Sequence, residues 1–369
     1  MEIIKDILKR VSCFIFIPYS IIKFIKPFLI DFVMARIAIE ATGCDKGFSA
    51  VLDGARKVLD DNTLELKIVL VAGEDRLPEK YRGLNEIDGI ALELAEYTYN
   101  SRDSKDKQFK SSIFRAAEMH KNREVEAVID SGDTRGSIVA ARRILGLMNN
   151  VLAPAIPSHW PRNNVLIDSG ANIESTPENL MQSAIMGYVY SKYVLGVDSP
   201  LIGIISNGKE RSKGNRFIRE SRRLIKNRLV DYNLSDSYFE GDCVTELDGG
   251  QVRVTDGHSG NEILKTAEGC LITSFTILFG KVKQQNFFKR CAAKYALRDP
   301  LREMKQELNY ETYAVGPLLG VDGNIMISHG KSSPEAIASA IRVTKEYLDR
   351  DINTKLGEEV EKYGVVEIV

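Results

Sequence analysis

TDGHSGNEILKTAEG, residues 255–269, follows a short β-prone run, Gln251-Val252-Arg253-Val254, and leads into a long apolar helical pattern. Gly257 and Gly260 fall in the turn between them. A strand, a glycine turn and a helix start make an anion cradle: backbone N–H groups converge, and the helix N-terminus adds partial positive charge. Many α/β folds contain one such turn, and this chain contains several. Glycines and small polar residues also cluster at Glu40–Asp45, Asp130–Gly136, Asp168–Asn172 and Asn207–Glu210, the last running on to Lys213-Gly214-Asn215. Each cluster ends a β-like run, which is where open α/β sheets place ligands. None fits G-x-x-x-x-G-K-[ST] or G-x-G-x-x-G, so neither nucleotide hydrolysis nor a dinucleotide cofactor is supported.

From Arg36 onward the chain alternates. Apolar β-like runs occur at 36–39, 67–71, 125–129, 164–167, 201–205, 252–254 and 325–327. Helical patterns are expected at 49–60, 86–97, 111–122, 136–148, 178–195, 215–229, 261–279, 285–308 and 334–349. Thr176-Pro177 supplies an N-cap threonine and an N1 proline for the fifth of these. The alternation predicts an α/β fold with a mainly parallel sheet covered on both faces. The polar segment 100–111 reads as an exposed loop.

The 369 residues are 44% hydrophobic and 27% charged, with a formal net charge of −1. This is the composition of a globular chain with no global field to recruit nucleic acid. Its cysteines, Cys13, Cys44, Cys243, Cys270 and Cys291, form no C-x-x-C pair, which argues against a zinc site or disulfide framework and for a reducing compartment. Residues 1–33 differ from the rest, being rich in Ile and Phe with interspersed lysines. Their longest uncharged run, Val11–Ile22, is shorter than the ~20 residues a bilayer span needs. The segment reads either as a membrane-surface anchor or as an upstream start, with Met34 opening the fold. The expected organisation is this segment, a domain over 34–350, and a tail over 351–369.

Four strings occur in order: LIDSGANIESTPENLMQSAIMG (166–187), KGN (213–215), DG-x-x-GN followed by LKTAEG (256–269), and GPLLGVDGNIMISHG (316–330). Together they resemble the PlsX family of phosphate acyltransferases over roughly residues 34–345. The resemblance implies a three-layer α/β/α fold of the isocitrate/isopropylmalate dehydrogenase-like type and a homodimer. It implies transfer of an acyl group from acyl-[acyl carrier protein] to inorganic phosphate, giving acyl phosphate for phospholipid synthesis. It also implies work in the cytoplasm, peripherally at the inner face of the membrane.

Such chemistry needs phosphate held by N–H donors and cations, and further donors for the tetrahedral oxyanion. It requires no metal or organic cofactor. The catalytic candidates are Lys213, Asn215 and Asn261, with His258 and His329 as proton-transfer groups. Gly43, Asp45, Gly132, Thr134, Asp168, Gly170, Asn172, Gly257 and Gly260 are the expected substrate- or phosphate-binding positions. Asp168 and Asn172 read equally well as turn caps. Cys44, at a strand end, is a weaker candidate for an acyl-accepting nucleophile.

Residues 216–228, RFIRESRRLIKNR, carry six basic residues against one acidic. Arg216, Arg219, Arg223 and Lys226 share a helical face suited to an acidic carrier protein, or simply to solvent. Leu271–Lys294 mixes aromatic and cationic residues at helical spacing, which suits an anionic membrane surface, a dimer contact, or both.

The chain departs from the family pattern at Glu40 and Cys44, at Asp130–Arg135 against a usual S-A-G-N-T-G, and at His258 and Ser259. These departures motivate two alternatives: a catalytically weak scaffold that binds carrier protein and membrane, and a phosphotransacylase that uses acyl-CoA.

Overall fold

Alternate residues of β1, Ala35–Glu40, serve opposite sides of a sheet. Ile37 and Ile39 join a core cluster with Val51, Leu52 and Ala55 of the helix Phe48–Asp60. Ala38 joins a second cluster with Phe114 and Ala117 of the helix Ser112–Lys121. β2, Leu66–Gly73, repeats the division, with Ile68, Leu70 and Ala72 on the first side and Val71 on the second. A strand apolar on both faces needs helices on both, and each fully buried Ile or Leu is worth roughly 2 kcal/mol over exposure. The computed structural model describes residues 34–363, apart from 62–63, 243–247, 308–314, 329 and 331. The proposed anchor at 1–33 therefore lies outside the described residues.

The remaining strands are β3 Glu86–Ile87, β4 Ile90–Ala95, β5 Ala127–Asp130, β6 Ser158–Trp160, β7 Asn164–Ile167, β8 Leu201–Ile204, β9 Gln251–Val254, β10 Val315–Pro317 and β11 Ile325–Ser328. They form a seven-stranded sheet, β10-β11-β5-β1-β2-β4-β3, and a four-stranded sheet, β6-β7-β9-β8. The inner pairings are parallel, and only the edge strands β10, β3 and β6 run antiparallel. Ala155 and Leu319 exchange backbone hydrogen bonds of 3.0 and 2.9 Å between the two sheets. The first cluster also takes in Val165, Ile167, Ile202 and Val254, so both sheets share one core. The expected α/β fold, mainly parallel with helices on both faces, is what the chain adopts.

Local readings fared unequally. The helix Pro177–Val189 begins with the expected Thr176 cap, completed into a reciprocal box by Asn179. The helix expected over 86–97 is instead the hairpin β3–β4. Its turn, Asp88-Gly89, takes left-handed φ of 51° and 78°, the signature of a two-residue hairpin, and buried Ile90 and Leu92 follow with a period of two. The exposed segment 100–111 contains a short helix, Lys105–Phe109. The expected tail includes a helix, Ile352–Tyr363, whose Ile352, Leu356 and Val360 are fully buried.

The helix Gly257–Lys283 behaves differently. Of its 27 residues only Gly257 and Gly260 are buried. It runs out from the body with Ile272, Ile277, Leu278 and Phe279 exposed, and the chain turns back through the helices Phe287–Ala296 and Arg298–Glu307. Length and composition alone would let the helix Gly257–Lys283 cross a bilayer.

Candidate active site

Two groups of loops leave the parallel strands at their C-terminal ends. In the larger sheet Glu40 is the register partner of Asp130, and Asp130 of Ile327, so the loops after β1, β5 and β11 emerge side by side. They border a cavity of about 470 Å³. Gly43, Asp45 and Gly132 line it. The glycines are required here, because a Cβ on Gly43 would lie 2.9 Å from the Gly132 Cα. Thr134 is not in the wall. It opens the helix Thr134–Ala140, which Asp133 caps by accepting from the Arg135 N–H at 2.8 Å.

Glu40 and Asp130 form the buried floor. Glu40 accepts hydrogen bonds from the Thr42 N–H, the Thr42 hydroxyl, the Gly43 N–H and the Ser112 hydroxyl at 2.7–3.0 Å. Asp130 accepts from the Gly132 N–H at 2.9 Å and from the Ser137 hydroxyl. Burial raises the pKa of Glu40, against the pull of those donors. Burial, with the Glu40 charge beside it, pushes Asp130 up to about 7. Cys44 is buried beside this floor, its Sγ 3.4 Å from the Gly330 carbonyl oxygen. Burial pushes its thiol up, which withholds the thiolate an acyl-accepting nucleophile needs.

In the smaller sheet Ile167 and Ile204 are both in register with Val254, so the loops after β7, β8 and β9 also emerge together. Asp168 is buried and accepts from the N–H groups of Ile156, Gly170, Ala171 and Asn172, and from the Asn172 side chain, at 2.8–3.1 Å. Asn172 also donates to the Pro154 carbonyl at 2.5 Å. Gly257 N–H donates to the Asn172 carbonyl at 2.8 Å, and a Cβ on Gly260 would sit 1.9 Å from the Asp168 carbonyl oxygen. Asn261 faces Gly170.

The anion cradle expected at 257–260 is therefore engaged by the chain itself. The N–H groups of Gly257, Ser259 and Gly260 go to Asn172, the Asp256 side chain and the Asp256 carbonyl. The glycines serve close packing of helix start on turn, not N–H donation to an anion. His258, on that first turn, is exposed.

Lys213 is exposed on the loop after β8, where Asn207 accepts from the Gly214 N–H at 2.9 Å. Asn215 caps the helix Arg216–Arg228, accepting from Ile218 N–H at 2.9 Å. On that helix Arg216, Arg219 and Arg223 face solvent, Lys226 is half-buried, and Ser221 and Ile225 turn inward. Arg216 pairs with Glu220 at 2.8 Å and Lys226 with Asp236 at 3.2 Å. His329 lies outside the described residues.

The candidates thus divide. Gly43, Asp45 and Gly132 share one cavity, while Asp168, Gly170, Asn172, Gly257, Gly260 and Asn261 share one packed turn. Lys213 and Asn215 belong to the loop beside it. The buried pair Glu40 and Asp130 was not singled out from the sequence. Each ends an apolar run, but only the strand register joins them across 90 positions.

A family model described as fatty acid synthesis protein matches residues 35–355. The chain is 34% identical over 338 residues to a phosphate acyltransferase of Geotalea uraniireducens, covering 89% of this chain and 94% of the relative. It is 31% identical over 339 residues to one of Nitratiruptor sp., covering 89% and 98%. Among solved structures, the fold is similar to a branched-chain phosphotransacylase from Enterococcus faecalis, with a TM-score of 0.52 at 14% identity over 85% of this chain and 98% of that one. A phosphotransacetylase from Streptococcus pyogenes gives 0.52 at 14% identity over 92% and 99%. Motif order, the strand-end loops and these matches agree: the chain belongs to the fatty acid synthesis protein family, the PlsX-type acyltransferases.

Proposed function

We propose that this protein transfers a long-chain acyl group from an acyl-[acyl carrier protein] thioester to inorganic phosphate, and that the acyl phosphate supplies phospholipid synthesis. The observation that carries the reading is similarity to phosphate acyltransferases along nearly the whole length of both chains. Charge distribution supports a division of labour. Among the described lining residues of the cavity at the larger sheet, Glu40, Asp45, Asp130 and Asp133 stand against one cation, Arg76, so a phosphate dianion is repelled there. Phosphate is held instead from the smaller sheet, by Lys213 with Asn215 and Asn261. The solvent-facing arginines of helix 216–228 receive the acidic carrier protein.

The projecting helices supply the remaining partners. Phe287 and Phe288 are 69% and 81% exposed beside Lys289 and Arg290, which suits insertion at an anionic membrane surface. The apolar length of helix 257–283 nearer the body suits a second copy of the chain, giving a homodimer.

The test is product formation from long-chain acyl-carrier protein and labelled phosphate by the full chain. Acyl phosphate well above background is expected. A folded protein that forms none overturns the reading, and turnover with acyl-CoA alone replaces the donor. Lys213→Ala is expected to raise the KM for phosphate about tenfold while shifting unfolding by less than about 0.5 kcal/mol. Phe287→Ser with Phe288→Ser is expected to weaken sedimentation with anionic vesicles and leave the body intact.

A further inference from the structure

Glu40 and Asp130 face each other from neighbouring parallel strands, and both are buried. A methyl group built on Gly132 would lie 3.3 Å from Glu40 Oε2 and 3.3 Å from Asp130 Oδ1, so both carboxyl groups look toward one point. Two carboxylates this close and this dry do not both ionise at neutral pH, so the pair holds a proton.

The hydrogen bonds decide which member keeps it. Glu40 has donors from Thr42, Gly43 and Ser112, a set that stabilises a carboxylate. Among the described residues Asp130 has two, Gly132 N–H and the Ser137 hydroxyl. Glu40 is the anion and Asp130 the acid, in line with the rise of Asp130 to about 7. Among the described residues, the other titratable groups facing the cavity are Asp45 after β1, Arg76 after β2, Tyr99 after β4 and Asp133 after β5. This acidic rim turns away an anion and admits a neutral, hydrogen-bonding group, which a thioester is.

We propose that this cavity receives the thioester end of the acyl donor, and that Asp130 is the acid that protonates its departing sulfur. The inference rests on the acyl-transfer reading above. A phosphate oxygen bonds to the carbonyl carbon, the C–S bond breaks, and its electron pair goes to sulfur. Sulfur takes the proton of Asp130 and leaves as the thiol. The phosphate enters as the monohydrogen dianion and ends as an acyl phosphate dianion; the proton it gives up passes to solvent, from which Asp130 is reprotonated. Glu40 stays ionised and acts as a positioning residue, keeping the proton on its neighbour.

The experiment joins two readouts on the full chain. Infrared difference spectroscopy without substrate is expected to show a carboxylic acid band titrating near neutral pH that is missing from Asp130→Asn. With acyl-carrier protein and phosphate, kcat is expected to fall on the alkaline side of that titration. Asp130→Asn is expected to lose about tenfold to a hundredfold in kcat and to lose the alkaline limb. Ser137→Ala, which removes a donor to the carboxylate, is expected to move the limb to higher pH. Glu40→Gln, which removes the facing charge, is expected to move it to lower pH. The proposal is overturned if no carboxyl group titrates near neutrality. It is equally overturned if Asp130→Asn keeps the wild-type rate and profile, or if neither flanking variant moves the limb. A wild-type chain that shows the band but forms no acyl phosphate from any thioester removes the acyl-transfer reading, and the sulfur-protonating role with it.

Discussion

The tripeptide Asp-Ser-Gly occurs at the end of β5, as Asp130-Ser131-Gly132, and at the end of β7, as Asp168-Ser169-Gly170. Both aspartates are buried at the C-terminal end of a central parallel strand. Asp168 collects four backbone N–H groups and one side-chain amide, and its carboxylate knits a turn together. Asp130 has fewer donors and a second carboxyl group opposite it. Burial raises the pKa of both, but backbone donors oppose the rise at Asp168, while the Glu40 charge adds to it at Asp130. The same three residues therefore make a structural anion in one place and a proton-holding acid in the other. The number of donors and the nearest charge make the difference, and neither can be read from the tripeptide itself.

The contrast is broken most directly at the aspartates. Asp168→Ala leaves its donors buried without an acceptor and is expected to cost about 4 kcal/mol in denaturant unfolding. Asp130→Asn at pH 8 is expected to change stability by less than about 1 kcal/mol, since it also removes a like-charge contact. Equal losses would end the distinction. Gly260→Ala probes the backing of the Asp168 turn and is expected to cost about 3 kcal/mol, because its Cβ meets a backbone carbonyl that cannot move aside.

The third prediction concerns pH. Asp130 keeps its proton in the folded chain up to about pH 7, whereas in the unfolded chain it ionises near pH 4. The folded state therefore binds more protons in that window. Stability contributed by this group is fully present below about pH 4, falls by at most about 1.4 kcal/mol per pH unit as pH rises, and levels off above about 7. Asp130→Asn is expected to flatten that slope in urea midpoints, and an unchanged slope would place the proton elsewhere. The smallest effects belong to the serines. Ser131 donates to the Glu40 carbonyl at 2.6 Å, and Ser169 both donates to Ile156 and accepts from Ser158. Replacement by Ala is expected to cost about 1 kcal/mol at either site, with Ser169 the more costly.

Most of the parallel frame was legible in the sequence, because strands buried on both faces read as apolar runs bounded by glycine turns. The helix expected over 86–97 arises because Ile87, Ile90, Ala91, Leu94 and Ala95 also fall at helical spacing. The Asp88-Gly89 turn was the signal that separates the two. At the site, the glycine-rich loops were found but two of their roles were not. Gly257 and Gly260 read as donors to an anion, yet the structure uses them to let one backbone approach another. Glu40 and Asp130 stand 90 positions apart, and only the hydrogen-bonded register of β1 and β5 brings them together.

The helix that begins at Gly257 fixes a phase as well as a position. Its first turn has no freedom against Asp168 and Asn172, and its 27 residues carry that setting about 40 Å outward. One residue inserted between Gly260 and Leu271 would turn every side chain beyond it by about 100°, so the exposed Ile272 and Phe279 would point to a different side of the arm. Seven inserted residues, about two turns, would lengthen the arm and nearly restore its aim. Along this segment, the spacing of the apolar side chains from the anchored glycines constrains the sequence as much as their chemistry does.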